Sequence, residues 1–147
     1  MGNLVSLDID AITKQVTKTL KNFPQIAGAY LFGSALGACR PDSDIDIGLV
    51  PEDIRLSAKE TAQLEAVIAG SFHPFEGHPY DIVLLNLGNP IFSFRIIKKG
   101  RLIYVRDLDR VQDVMEQVSR RYADVYPRYR IALDEILDEV VTGGNRP

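Results

Sequence analysis

The sequence predicts an α+β fold in which a small mixed β-sheet is flanked by helices. Short apolar runs bounded by Gly, Pro and Asp, which are typical of buried strands, alternate with segments whose apolar residues recur at helical spacing. The chain of 147 residues is long enough for one domain. A second independent domain is not expected, so residues 1–147 are predicted to form a single domain.

The first half of the chain is predicted to contain one helix and two strands. The helix extends from Asp8 to about Phe23, where apolar residues recur at helical spacing and an aspartate can cap the start. Apolar runs at 26–32 and 45–50 are typical of strands. Because the connection between them is too short for a full crossover helix, we expect these two strands to pair antiparallel.

The second half continues the alternation. Residues 57–70 are predicted to form a helix that begins with a Ser-x-x-Glu capping box and ends at a glycine. The run YDIVLLN, residues 80–86, is predicted to be a third strand. A helix over about 90–99 and a short edge strand over 101–105 follow.

A long apolar stripe at helical spacing extends from residue 107 to residue 140 and passes through Pro127. Because a proline inside a helix kinks or breaks it, we predict two stacked segments, 108–125 and 127–141. The usual role of such a stripe is to cover a sheet. Its length, and the tyrosines and arginines clustered at 120–130, leave room for a partner surface.

The composition is that of an ordinary globular protein, with 46% hydrophobic and 25% charged residues. A net charge of −3 gives no bulk attraction to nucleic acid or to an anionic membrane, so a small nucleotide is the polyanion that fits best. The single cysteine, Cys39, excludes an intrachain disulfide framework. Because neither a signal peptide nor a membrane span is recognisable, we expect a cytoplasmic protein.

A glycine–serine pair, Gly33-Ser34, follows the first predicted strand. Glycine lets the backbone turn and approach a ligand closely, and a helix that begins here would present N–H groups that attract a phosphate. The plainer interpretation is a strand-to-helix turn with a serine cap. A Walker loop is excluded, because no lysine follows at the required spacing.

Three aspartates stand at the starts of predicted strands. Asp44 and Asp46 are two residues apart, so on a strand their side chains would face one side with Cα atoms roughly 6.5–7 Å apart. Asp81 stands at the head of the third strand. Each alone could be a turn residue in solvent. Together, three carboxylates on adjacent strands form a set of hard oxygen ligands suited to Mg²⁺.

This combination indicates a reaction class. Metal-binding carboxylates beside a phosphate-holding turn, without a Walker lysine or kinase motifs, suit nucleotidyl transfer from a nucleoside triphosphate. Asp81 could act as the general base if it lies within reach of the acceptor proton.

The segment formed by Gly33-Ser34, Asp44 and Asp46, followed by Asp81 in YDIVLLN, resembles the signature of the nucleotidyltransferase superfamily related to DNA polymerase β. The short chain, the element IIKKGRLIYV and the final helices are similar to the minimal nucleotidyltransferases, the MNT group. The resemblance covers nearly the whole chain. It implies a polymerase β-like fold and a cytoplasmic antitoxin that transfers AMP from ATP to a tyrosine of a HEPN ribonuclease toxin.

The resemblance also implies residue roles. Glycine and serine of the motif bind the triphosphate, the first two aspartates bind Mg²⁺, and the third completes a site for two ions or activates the acceptor. Many members carry a basic residue directly after the Gly-Ser pair, where this chain has Ala35-Leu36. Arg40 is the nearest basic residue, and we expect it to contact the triphosphate; the alternative is a solvated loop residue.

Two alternatives remain open at this point. The acceptor of AMP could be a small molecule of the aminoglycoside type, although such enzymes usually carry an added substrate domain. The protein could instead be a non-catalytic antitoxin that masks its toxin sterically. Whether the protein forms an oligomer is also open. His73 and His78 lie in a loop rich in Pro and Gly and are interpreted as ordinary loop residues.

Overall fold

A computed structural model gives the structure of residues 3–143, with side chains up to residue 140. This part of the chain contains six strands, which are β1 (Val5–Ser6), β2 (Ile26–Phe32), β3 (Ala38–Cys39), β4 (Ile45–Pro51), β5 (Tyr80–Leu84) and β6 (Arg101–Val105). It also contains four α-helices, which are α1 (Ile9–Leu20), α2 (Ala58–Ala69), α3 (Pro90–Lys99) and α4 (Leu108–Gly143).

The main sheet has four strands in the order β5-β4-β2-β6. The strand β2 pairs antiparallel with both β4 and β6, whereas β4 and β5 are parallel. The predictions of a mixed sheet, of an antiparallel first pair and of an edge position for residues 101–105 are therefore confirmed. β1 and β3, which the sequence did not predict, form a separate two-stranded antiparallel sheet.

Apolar side chains cover both faces of the main sheet. On one face, α1 contributes Ile12, Val16 and Leu20 to a core that also contains alternate residues of β4 and β5. On the other face, α3 and the first half of α4 pack over the sheet through Ile96 and Val118. Each buried strand thus alternates between two apolar layers, which explains why its sequence is a nearly continuous apolar run.

Local capping fixes the helix starts as the sequence predicts. The Asp8 side chain accepts a hydrogen bond from the backbone N–H of Ala11 at 3.2 Å. The Ser57 hydroxyl accepts one from the Glu60 N–H, and the Glu60 carboxylate accepts one from the Ser57 N–H, both at 3.1 Å. These bonds satisfy N–H groups that the first helical turn leaves without partners.

Two predicted elements differ from the structure. The residues after β2 form a single 3₁₀ turn, Gly33–Leu36, and not the start of an α-helix. The two predicted C-terminal segments are one continuous helix that contains Pro127. Proline removes one hydrogen bond there, and because both Pro127 and Ala123 are exposed, water can satisfy the released Ala123 carbonyl.

Candidate active site

The aspartates predicted from the sequence meet at one end of the main sheet. Asp46, the second residue of β4, lies in register between Phe32 of β2 and Asp81 of β5. Residues in register on neighbouring strands face the same side of the sheet. The residues Ile45 and Ile47 on either side of Asp46 are buried in the opposite core. The Asp46 and Asp81 side chains therefore stand side by side on the face covered by α3.

Gly33 lies directly against the Asp46 carboxylate. Its φ of +75° is in the left-handed region, and a Cβ at this position would be 2.2 Å from Oδ2 of Asp46. Only glycine combines this backbone conformation with the required space. The Gly-Ser pair and the aspartate therefore belong to one compact unit, in which Ser34 is exposed at the start of the 3₁₀ turn.

Negative charge is concentrated around Asp46, which is half-buried. Its burial, and then the charges of Asp81 and Asp44, raise the pKa of Asp46 from 3.8 to about 6. Asp44 directly precedes β4 and is exposed, as is Asp81. The three predicted carboxylates are therefore close enough to repel one another, and this group contains no positive charge that would offset the repulsion.

The donor set suits a divalent cation, although the carboxylates do not surround a common point. Carboxylate oxygens are the ligands that Mg²⁺ prefers, and a cation would offset the repulsion around Asp46. Within residues 3–140, no three His, Cys, Asp or Glu side chains converge closely enough to hold a metal ion.

A buried histidine connects the two loops that carry these aspartates. His78 is buried, and its Nδ1 donates a hydrogen bond to the Ser43 carbonyl at 2.7 Å. Next to this bond, the Ile45 N–H donates to the Pro79 carbonyl at 2.8 Å. His78 therefore has a structural role in its loop, which agrees with its interpretation as a loop residue. The sequence could not indicate this hydrogen bond, because the two residues lie 35 positions apart.

A fourth carboxylate, Glu65 of α2, was not recognised in the sequence. Burial raises the pKa of Glu65, a backbone hydrogen bond at Leu84 lowers it, and the charge of Asp81 raises it, in decreasing order of effect. Glu65 occupies an ordinary polar position in a helical pattern. Only the packing of α2 beside β5 brings it near Asp81.

Arg40 is held outside this unit. Its guanidinium forms an ion pair with Asp42 at 3.2 Å, and both side chains are largely exposed. Within the described residues, no hydrogen bond or ion pair joins Arg40 to Gly33, Ser34 or the three predicted metal ligands. A contact between Arg40 and a triphosphate remains a prediction.

The family model for Polymerase beta, Nucleotidyltransferase matches residues 14–109, which include all the candidate residues. The chain belongs to this nucleotidyltransferase family. Among curated protein sequences none matches it. Within the described residues, no helix has the length and apolarity needed to cross a membrane.

Solved toxin–antitoxin complexes share the fold. In the complex of the tri-AMPylated Shewanella oneidensis HEPN toxin with MNT antitoxin, the matched chain has a TM-score of 0.62 and 18% identity, covering 87% of this chain and 98% of that one. A toxin–antitoxin structure with AMP-PNP gives 0.62 and 18%, covering 85% and 98%. The MntA-HepT complex gives 0.61 and 17%, covering 87% and 98%. The predicted polymerase β-like fold of the MNT type is confirmed.

Proposed function

We propose that this nucleotidyltransferase transfers AMP from ATP to a hydroxyl group, a tyrosine, of a partner protein. The observation that carries the proposal is the unit formed by Gly33, Asp46 and Asp81. A turn that only glycine can form lies against a half-buried carboxylate whose neighbour in register is a second carboxylate. A pair of this kind destabilises the free protein unless a ligand offsets its charge.

Each residue of the site has a separate role in the proposed reaction. Gly33 and Ser34 bind the triphosphate through the turn, and Asp44, Asp46 and Asp81 would hold two Mg²⁺ ions, which supply charge neutralisation of the phosphates. The acceptor oxygen forms a bond to the α-phosphorus, and the bond from that phosphorus to the oxygen of the β-phosphate breaks, which releases pyrophosphate. Asp81 takes the proton of the acceptor hydroxyl.

The structural neighbours support a toxin as the partner. One of them is a tri-AMPylated HEPN toxin in complex with an MNT antitoxin, and another is a toxin–antitoxin complex with AMP-PNP. A HEPN-type toxin encoded beside this protein is the acceptor that we propose. A cytoplasmic location fits this role, because both proteins would meet ATP there.

The test uses ATP labelled at the α-phosphate, with Mg²⁺, in the presence and absence of the protein encoded by the adjacent gene. We expect label on a tyrosine of that protein. Asp46→Asn should lower the single-turnover rate by about 1,000-fold, because a catalytic metal contributes several kcal/mol to transition-state stabilisation. Asp44→Asn should act in the same direction. Asp42→Asn is the matched control, since Asp42 is exposed and pairs with Arg40.

The labelling experiment distinguishes three hypotheses about the function. Complex formation with the partner, without label under any condition, would favour steric masking and overturn the transfer reaction. Label on a small molecule and not on the protein would assign a different acceptor to the same site. Equal loss of label in Asp42→Asn and Asp46→Asn would contradict the assignment of the reaction to the unit formed by Gly33, Asp46 and Asp81.

A further inference from the structure

The apolar stripe of α4 continues beyond the part that the fold covers. In the first half of the helix Val111, Val114 and Val118 are buried against the sheet and α3. In the second half Ile136 is 57% exposed and Val140 is 68% exposed. Apolar side chains in one contiguous exposed stripe of this kind usually mark an interaction surface.

A groove between α3 and α4 adjoins the exposed stripe. The groove has a volume of about 290 Å³, and its α4 wall consists of Tyr122, Tyr126, Tyr129 and Leu133. Phe94 of α3 stacks on Tyr122 with ring centroids 3.9 Å apart, and Tyr122 stacks on Tyr126 at 5.0 Å. These stacked rings form an aromatic wall against which apolar side chains of another molecule could pack.

Charges around the groove and at the end of α4 are opposite in sign. Arg95, Lys98 and Lys99 of α3 line the groove and are exposed, and within the described residues none of them forms an ion pair. The segment 131–140 carries four acidic residues and no basic one, namely Asp134, Glu135, Asp138 and Glu139. Asp134 also pairs with Arg130 of the same helix at 3.5 Å, and Asp138 has a partner as well, so Glu135 and Glu139 contribute most to the acidic surface. The chain therefore supplies both halves of a complementary charge pattern.

The stripe is also symmetric in sequence. Tyr129 and Leu133 each lie two positions from residue 131, Tyr126 and Ile136 each lie five, and Tyr122 and Val140 each lie nine. When two identical helices cross antiparallel at residue 131, each aromatic member of the stripe faces an aliphatic member of the other helix. The same pairing sets the acidic segment of one copy at the level of the basic groove of the other.

We propose that the occupant of this surface is a second copy of the chain, in a two-fold symmetric dimer built on antiparallel α4 helices. Ile136 and Val140 of each copy fill the groove between α3 and α4 of the other, and the acidic segment faces Arg95, Lys98 and Lys99. A two-fold interface uses the same surface on both copies, as this self-complementary pattern requires. The proposal is independent of the proposed transfer reaction.

Disulfide formation between two different variants tests the pairing directly. The variants Tyr126→Cys and Ile136→Cys are mixed in equal amounts under mild oxidation, and we expect the mixed disulfide dimer to dominate. Each variant alone should give little dimer. Two copies of position 126 would lie ten residues apart along the paired helices, about 15 Å, which is beyond the reach of a disulfide. The native Cys39 is buried and should not compete.

A matched control replaces Tyr126→Cys by Gln112→Cys, an exposed residue of the same helix. Position 112 lies 14 residues before position 126, about 21 Å further along the helix from the residue that would face Ile136. No disulfide with Ile136→Cys is expected. Equal cross-linking of the control, or cross-linking of Tyr126→Cys with itself, would overturn the antiparallel pairing.

Sedimentation equilibrium tests the dimer without oxidation. Ile136→Asp should raise the dissociation constant of the dimer by about 30-fold, the effect of losing one interface hot spot. Lys98→Glu should weaken the dimer, and adding Glu139→Lys should recover part of the loss. Circular dichroism shows that the exposed variants remain folded. A wild-type chain that stays monomeric throughout the micromolar range, and uses this surface only with the toxin-type partner, would refute the self-pairing.

Discussion

The end of the sheet at Asp46 and the second half of α4 depart from ordinary side-chain burial in opposite directions. At the first, a carboxylate is half-buried between two strands and beside two other carboxylates. At the second, apolar side chains such as Val140 are mostly exposed. Both regions are otherwise regular, one on paired strands and the other on a continuous helix.

The two regions fit different kinds of ligand. A buried charge is offset by a small charged ligand held at fixed distances, and neighbouring strands supply that rigidity. An exposed apolar stripe is covered by a large apolar surface of another molecule, and a helix that extends past the sheet makes the stripe accessible to it. Local violations of the burial pattern are where a protein's function is expected to lie.

The largest effect on stability is expected at Gly33, where backbone and carboxylate leave no room. Gly33→Ala should lower the free energy of unfolding by about 2–3 kcal/mol because of the left-handed φ and the clash with Asp46. Urea unfolding monitored by circular dichroism measures the change. Gly37→Ala is the control, because Gly37 has extended backbone and no atom lies within 4 Å of a Cβ there. Equal losses of stability in both variants would show that the clash with Asp46 does not cause the effect of Gly33→Ala.

The two halves of α4 can be compared with one substitution in one helix. Val118→Ala should lower the free energy of unfolding by about 2 kcal/mol, because Val118 is fully buried over the sheet. In dilute protein, Val140→Ala should change it by less than about 0.5 kcal/mol, because Val140 is exposed in the monomer. Thermal unfolding at low concentration measures both. A large loss in Val140→Ala would mean that the monomer buries the stripe after all.

The charge at Asp46 predicts a smaller, pH-dependent effect. The pKa of Asp46 is raised in the folded protein from 3.8 to about 6. A raised carboxyl pKa means that ionisation destabilises the fold as the pH rises through this range. Asp46→Asn should therefore stabilise the metal-free protein by about 1 kcal/mol at about pH 8, a value reduced because solvent screens the half-buried carboxylate. Below about pH 4 the substitution should give no such stabilisation, because the carboxyl group is protonated in both states.

Unfolding curves at several pH values, with Asp42→Asn as the reference, measure this gain. A gain that stays constant between acidic and alkaline pH would contradict an origin in ionisation. Loss of the gain on adding Mg²⁺ would connect the carboxylate to cation binding, since the cation stabilises the ionised form.

The smallest effect on stability is expected at Arg40. Arg40→Ala should change the free energy of unfolding by less than about 0.5 kcal/mol, because its ion pair with Asp42 is exposed. If Arg40 contacts the triphosphate, the KM for ATP should rise several-fold while kcat is unchanged. Steady-state kinetics separate the two constants. An unchanged KM would leave Arg40 as a solvated loop residue.

The regular elements around the site could be predicted from the sequence alone. Helical spacing and capping signals located α1, α2 and α3, and apolar runs located β2, β4, β5 and β6, because these features depend on local geometry. The motif at Gly33 and Asp46 was also visible, since a glycine and a charged residue interrupt apolar runs. Pro127 misled the prediction, because local propensity does not report that an exposed position tolerates a missing hydrogen bond.

Which residues meet at the site depends on the packing of the elements. The register that sets Asp46 beside Asp81, the bond from His78 to Ser43 and the approach of Glu65 to Asp81 all connect residues far apart in sequence. The α4 stripe has one continuous period in the sequence, yet only its first half is covered. Periodicity records which side chains share a face of a helix, whereas burial depends on where the sheet ends beneath it.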